Sequence, residues 1–166
     1  ALNSNADVCI MLHGDNQYKF TPCWEARKLP GAIKLGSRLR NEHTGTMPGW
    51  RKLSNNALTN AANLLFDTTH TDLHTGARVF TRPFLEAVPF ESFENGFIFD
   101  QQILAYALAH NFTITEFDVP VDYGPQASSI PPGAALVYGL RCLSTLMRAK
   151  LFSGAPNMRQ NSPQKR

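Results

Sequence analysis

Asp15 and Gln17 stand two residues apart, just past the apolar run Val8-Cys9-Ile10-Met11-Leu12. A carboxylate and an amide oxygen at that spacing offer hard oxygen ligands, which suit Mg²⁺ or Mn²⁺ holding a diphosphate. The plainer reading is a strand-to-loop turn in which Asp15 caps a helix. Arg38 follows Gly36-Ser37. An arginine after a small turn at a strand end suits a phosphate contact, and an ordinary surface arginine fits the same residues. Arg51 and Asn55 lie one helical turn apart, so they either reach one ligand together or share a solvated face. His70, Asp72 and His74 alternate, so in an extended segment their side chains share one face and could hold a metal. A loop accounts for them equally well.

These residues need elements to position them. Val8 to Leu12 reads as a strand buried on both faces, as in a parallel sheet under helices, and Gly14 breaks it. Asp15 and Gln17 then fall at the carboxyl end of that strand, the edge at which open α/β sheets bind ligands. Pro22 to Lys28 reads as a short helix closed by Leu29-Pro30-Gly31, and Ala32 to Leu35 as a short strand. A loop over 39–50 leads to a helix from Trp50 to Phe66, with Trp50, Leu53, Ala57, Ala61 and Leu64 at helical spacing. Val79-Phe80 reads as a strand and Pro83 to Val88 as a short helix. A helix over 100–110 buries Ile103, Leu104, Ala107 and Leu108. A strand runs from Phe112 to Val121 with Ile114 and Val119 inward, and Tyr123-Gly124 turns it. The last helix, from Ala134 to Phe152, carries a stripe of Leu136, Leu140, Leu143, Met147 and Leu151, with Arg141, Ser144 and Arg148 on another face. Core packing of the first half of that stripe is the expectation. The alternative is a helix lying on a membrane surface with its cations toward headgroups.

At 166 residues the chain can bury one sizeable core. A net charge of +3 is mild and gives no reason to expect a nucleic-acid partner. Cys9, Cys23 and Cys142 are widely spaced, which speaks against a zinc knuckle or disulfide framework and for a reducing compartment. No apolar run approaches the ~20 residues of a membrane span, and no signal peptide is visible. The expected setting is therefore cytoplasmic. The chain opens with Ala1 and runs almost at once into a core strand, so we expect the later part of a longer protein. Residues 153–166 are polar, basic and proline-containing, and read as a disordered tail.

Several short segments recur together in one known family. They are His13-Gly14-Asp15-Asn16-Gln17-Tyr18, Gly36-Ser37-Arg38, Met47-Pro48-Gly49-Trp50-Arg51, His74-Thr75-Gly76-Ala77-Arg78, Asn95-Gly96-Phe97-Ile98-Phe99-Asp100, and Tyr123 with Ser128-Ser129-Ile130. In this order they resemble the family-2 glycosyltransferases of the dolichol-phosphate mannosyltransferase type, which have a GT-A fold. The resemblance implies an α/β, GT-A-like open sheet with helices on both faces. Residues 1–152 would be part of a catalytic domain whose first βαβ units precede this sequence.

It also implies chemistry. Asp15 matches the second Asp of the family's Asp-x-Asp motif, and Gln17 a glutamine that also reaches the metal. His13 stands where the first Asp is usual and would ligate in its place. Arg38 and Arg51 match arginines that hold phosphates, and Asn55 stands where a serine is common. His74, Thr75, Gly76 and Arg78 fall in the acceptor-side loop. Asp100 matches a carboxylate near the acceptor, a general base for a hydroxyl acceptor and unnecessary for a phosphate monoester. The implied partners are a nucleotide-diphospho-sugar donor, a divalent cation, Mg²⁺ or Mn²⁺, and a polyprenyl-phosphate acceptor. Transfer would invert the anomeric centre, at the cytoplasmic face of a membrane. Two other expectations stand beside this one. One is an inactive or binding-only fragment of such an enzyme. The other is a metal-dependent hydrolase using His70, Asp72 and His74.

Overall fold

The computed structural model describes residues 2–15, 17–40, 47–122 and 132–152. The elements run β1 (Val8–Leu12), α1 (Phe20–Ala26), β2 (Ile33–Ser37), α2 (Gly49–Phe66), β3 (Ala77–Thr81), α3 (Arg82–Ala87), α4 (Phe99–Ala109), β4 (Ile114–Asp118) and α5 (Pro132–Phe152). Each expected helix and strand is present to within a few residues. The turn at Tyr123-Gly124, the Ser128-Ser129-Ile130 segment, Asn16 and the tail over 153–166 lie outside the described residues.

The four strands form one open sheet in the order β1-β3-β2-β4. β3 is antiparallel to both β1 and β2, and β2 is parallel to β4. So β1, β2 and β4 all run the same way, and β3 runs against them. Their three carboxyl ends therefore meet the start of β3 at a single edge of the sheet.

The expectation for the first strand needs correcting. β1 is not a central parallel strand. Among the described residues it pairs only with β3, antiparallel, from Val8 opposite Thr81 to Leu12 opposite Ala77. All five of its residues are half-buried, whereas every residue of β2 is buried. An apolar run reports that two faces are covered and carries no information about the direction of the neighbouring strand. β3 and β2 are the two inner strands, and β2 is fully buried although it contains Lys34, whose ammonium donates to the Gly31 carbonyl at 2.7 Å.

Helices cover both faces. Adjacent residues of a strand point oppositely, and the core divides accordingly. Phe80, Ile33 and Leu35 pack with Ala62, Leu104 and Leu146 from α2, α4 and α5. Val79 and Ala77 pack with Phe117, Val119 and the α1 residues Cys23 and Ala26. Ile103, Leu104, Ala107 and Leu108 are buried on α4 as expected. Val119 is buried as well, while Ile114 is half-buried.

Two helix faces differ from expectation. On α2 the stripe of Trp50, Leu53 and Leu64 is exposed, and Asn55, Thr59 and Ala62 turn inward. Asn55 and Thr59 face the core and find hydrogen-bond partners in the segment before β3, Asn55 through Nδ2 and Thr59 through its hydroxyl, which offsets part of the penalty for burying them; Asn55 Oδ1 is buried without a partner. On α5, Leu136, Leu140, Met147 and Leu151 are exposed, and the buried positions are Cys142 and Leu146. α5 rests on α2 and α4 through that narrower face. No helix among the described residues is long and apolar enough to cross a membrane.

Candidate functional site

The carboxyl-end edge gathers most of the expected site residues. The loop after β1 is tied to the loop before β3 by two hydrogen bonds and to the segment beyond β4 by a bridge. The His13 amide donates to the Gly76 carbonyl at 3.1 Å. The Gly76 amide donates to the Tyr18 hydroxyl at 3.0 Å. Tyr18 itself bridges to Val121 beyond β4. Between these anchors, the Gln17 side-chain amide donates to Asp15 Oδ2 at 2.7 Å, and the Gln17 backbone N–H reaches Asp15 Oδ1 at 3.4 Å. The two residues expected to hold a cation are thus in contact.

That pair fits a particular kind of cation site. Turning the Gln17 amide over presents its oxygen beside the Asp15 carboxylate, giving two hard ligands on one loop. Mg²⁺ is held in this way, by one or two protein oxygens with the remaining positions left to water and substrate phosphates. Among the described residues no group of three or more His, Cys, Asp or Glu side chains is placed to hold a metal, so an all-protein cage of the structural zinc kind is not formed. His13, the third expected ligand, presents Nε2 to Asp100 Oδ2 at 3.6 Å.

A second group lies deeper, behind this loop. Asp72 is fully buried and is gripped by Arg38, with Nε donating to Oδ2 at 2.7 Å and Nη2 to Oδ1 at 3.0 Å. The Arg38 backbone N–H adds a third bond at 3.1 Å, and Asn55 Nδ2 a fourth at 2.9 Å. Burial works to raise the Asp72 pKa, but the bonds and charge of Arg38, with Asn55, outweigh it and hold the carboxyl below its usual range. Arg38 Nη2 also donates to the His74 carbonyl at 3.1 Å. Two of the three guanidinium nitrogens of Arg38 are therefore spent on fixing the loop before β3. Glu116 of β4 completes that loop from the other side, accepting from the Thr71 and Asp72 amides at 2.8 and 2.9 Å.

The His70-Asp72-His74 alternation has a structural explanation. The segment bends at Thr71 and turns at Leu73 and His74, and Asp72 faces Arg38 and Asn55. His70 is held through its backbone, with its N–H donating to Asn63 Oδ1 at 3.0 Å and its carbonyl accepting from Asn63 Nδ2 at 2.8 Å. Both ring nitrogens of His74 are buried without a hydrogen-bond partner. Burial pushes the His74 pKa down to about 4; the Asp72 charge opposes this, and those of Arg78 and Arg38 assist it. The imidazole is neutral at ordinary pH.

Arg78 is also an internal brace. From β3, Nε donates to the Thr75 carbonyl and Nη1 to the Asp100 carbonyl, both at 3.0 Å. The Thr75 hydroxyl accepts from the Ala77 amide at 3.2 Å. Together these fix the first turn of α4, and with it Asp100, against the loop before β3. Burial works to raise the Asp100 pKa, but the nearby His13 imidazole and the Arg78 charge prevail and hold it low. Arg51 sits in the first turn of α2, its guanidinium 5.6 Å from the centre of the Trp50 ring. Asn55, one turn on, has been drawn into the Asp72 network. The pair expected to share one ligand is thus divided between two settings.

Sequence reasoning missed the roles of Tyr18, Glu116 and Asp72. Tyr18 lay inside a recognised segment with nothing to mark its hydroxyl as a buried acceptor. Glu116 is a single acid in a strand, and its target is 45 residues away. Asp72 was visible, but as a metal ligand rather than as the partner of Arg38.

No family model matches the sequence, and no solved structure matches the fold.

Proposed function

We propose that the protein transfers a sugar from a nucleotide-diphospho-sugar to an acceptor, on a GT-A-like fold, with inversion at the anomeric carbon. The observation that carries this reading is the short loop after β1. It joins a cation-competent Asp15–Gln17 pair to His13, which lies against the carboxylate of Asp100. A departing diphosphate and an incoming nucleophile are the two charges such a reaction must manage, and this loop addresses both.

Asp15 and Gln17 would hold the divalent cation, Mg²⁺ or Mn²⁺, which when bound neutralises charge growing on the leaving diphosphate. Arg51, at the start of α2, would meet a phosphate group. Arg38 contributes by holding Asp72 and the loop that carries His74, Thr75 and Gly76. The resemblance points to a polyprenyl phosphate as acceptor, and a hydroxyl acceptor is the alternative. The exposed apolar residues Leu136, Leu140, Met147 and Leu151 of α5 support a peripheral membrane contact.

Calorimetric titration of the intact native protein with GDP-mannose, UDP-glucose and UDP-N-acetylglucosamine tests this reading. Binding of one of them is expected with Mn²⁺ present, lost in EDTA, and weakened at least tenfold by Asp15→Ala. If none binds in the presence of Mn²⁺, the proposal is wrong. Tight binding without turnover would give the binding-only reading instead.

A further inference from the structure

We propose that Asn95 is a site of spontaneous covalent modification in the folded protein. Its side chain closes onto the Gly96 nitrogen and reopens to isoaspartate, which unfastens the loop leading into α4. This chemistry needs no donor, acceptor or cation, and it stands apart from glycosyl transfer.

Asn95-Gly96 is the single Asn-Gly pair of the chain. Glycine leaves its amide nitrogen open to the preceding side chain, because it has no Cβ to shield it. Both residues are exposed, in the bend just before α4. Gly96 has a φ of 99°, and a Cβ placed there would meet no atom within 4 Å. Among the described residues, neither the Asn95 side chain nor the Gly96 N–H has a hydrogen-bond partner. The electrophile and the nucleophile are therefore both uncommitted. Asn55 and Asn63 differ on every count. Their side chains are tied into hydrogen bonds, and they precede Asn56 and Leu64 on a helix.

The step balances without an oxidant or cofactor. The Gly96 nitrogen attacks Cγ of Asn95 and a C–N bond forms. The bond from Cγ to the side-chain nitrogen breaks, and ammonia leaves carrying the proton that the Gly96 nitrogen gave up. Water then opens the cyclic imide. Attack at Cγ gives aspartate, and attack at the main-chain carbonyl carbon gives isoaspartate, in which the backbone runs through Cβ and Cγ. Ammonia is exchanged for water, and the chain gains one negative charge. Because the attacking nitrogen must lose its proton, conversion is faster at higher pH.

The consequence follows from what lies on each side. The Glu94 N–H donates to Gln102 Oε1 at 2.8 Å, and its carboxylate accepts from Arg141 Nη2 of α5 at 2.6 Å. The Gly96 carbonyl accepts from the Phe99 amide at 3.1 Å. Isoaspartate inserts one more backbone carbon between these two anchors, about 1.5 Å of extra chain. The loop must release one anchor to take it up. Phe99 and Gln102 both belong to the first turn of α4, so either release loosens that turn. Aspartate adds the charge alone, and a carboxylate ahead of a helix N-terminus is tolerated well.

The test incubates the intact native protein at neutral and at mildly alkaline pH, beside Asn95→Gln and Asn95→Asp. Peptide mapping by mass spectrometry locates the change, and methylation by an isoaspartyl methyltransferase with S-adenosylmethionine detects the isoaspartate. An acidic form is expected to accumulate, faster at alkaline pH, with isoaspartate at residue 95 and none there in Asn95→Gln. Amide hydrogen exchange over 99–102 should speed up about tenfold in the isoaspartate form. It should stay at the fresh level in Asn95→Asp and in aged Asn95→Gln. A folded protein that keeps Asn95 intact while a urea-unfolded sample converts there overturns the proposal, since the fold then holds the two groups apart. Conversion confined to other asparagines, such as Asn3, overturns it equally. Isoaspartate at residue 95 with unchanged exchange over 99–102 overturns the unfastening of α4.

Discussion

At the scale of single residues, the site divides into groups that face solvent and groups that hold those in place. Asp15, His13 and Asp100 belong to the first kind, while Arg38, Arg78, Asn55 and Asp72 are engaged with one another or with backbone. Sequence alone could mark all of them as polar residues at suggestive spacings. It could not say which guanidinium would be committed to a buried carboxylate, because that depends on a partner 34 residues away. His74 offers the sharpest test at this scale. Its imidazole titrates near pH 6.5 in an ordinary environment and near about 4 here. Between those values the unfolded chain binds the proton and the folded chain does not. The contribution of a neutral His74 is therefore complete above pH 6.5 and is lost as pH falls toward 4, by about 3 kcal/mol in all. His70, lowered chiefly by burial, acts in the same direction. Chemical denaturation at a series of pH values should show this decline, and His74→Asn should flatten most of it. A decline of the same size in the variant would mean that His74 is not the group responsible.

At the scale of elements, the sequence was legible in span and poorly legible in facing. The helices over 49–66, 99–109 and 132–152 announce themselves by apolar periodicity. Which stripe turns inward is a different question, because amphipathic periodicity assumes that the core is apolar. α2 violates that assumption by burying Asn55 and Thr59 against the loop before β3. α5 violates it by exposing its widest apolar stripe and packing through Cys142 and Leu146. β1 shows the same limit for sheets, since an apolar pentapeptide says nothing of its neighbour's direction. The assignment of α5 makes a clean prediction. Leu146→Ala should cost about 2–5 kcal/mol, the usual range for emptying a packed leucine site. Leu140→Ala should change stability by no more than about 0.5 kcal/mol. Urea unfolding of both variants decides the matter. The reverse ranking would mean that the sequence-based stripe is the buried one after all.

At the scale of the whole molecule, the exposed apolar surface and the sheet edge belong to one arrangement. α5 carries Leu136, Leu140, Met147 and Leu151 outward, and α2 adds Trp50, Leu53 and Leu64. The same α5 places Tyr138 within electrostatic reach of Asp100 and Arg78. One helix thus links the outward apolar residues to the floor of the candidate site. If the proposed membrane contact is made by this stripe, removing a leucine from it must weaken adsorption without touching the fold. Burying a leucine side chain is worth roughly 1.5–3 kcal/mol, so Leu140→Glu and Leu151→Glu should each reduce the partition coefficient onto vesicles about tenfold or more. Vesicles of phosphatidylcholine with phosphatidylserine, compared with phosphatidylcholine alone, also isolate the electrostatic share, about 1 kcal/mol per cation near the surface. Arg148, exposed on the same helix, is the cation expected to contribute. Co-sedimentation that is equal for the wild type and both variants would remove α5 as the contact. An exposed apolar stripe that adsorbs to no lipid surface is of the kind that marks a protein contact.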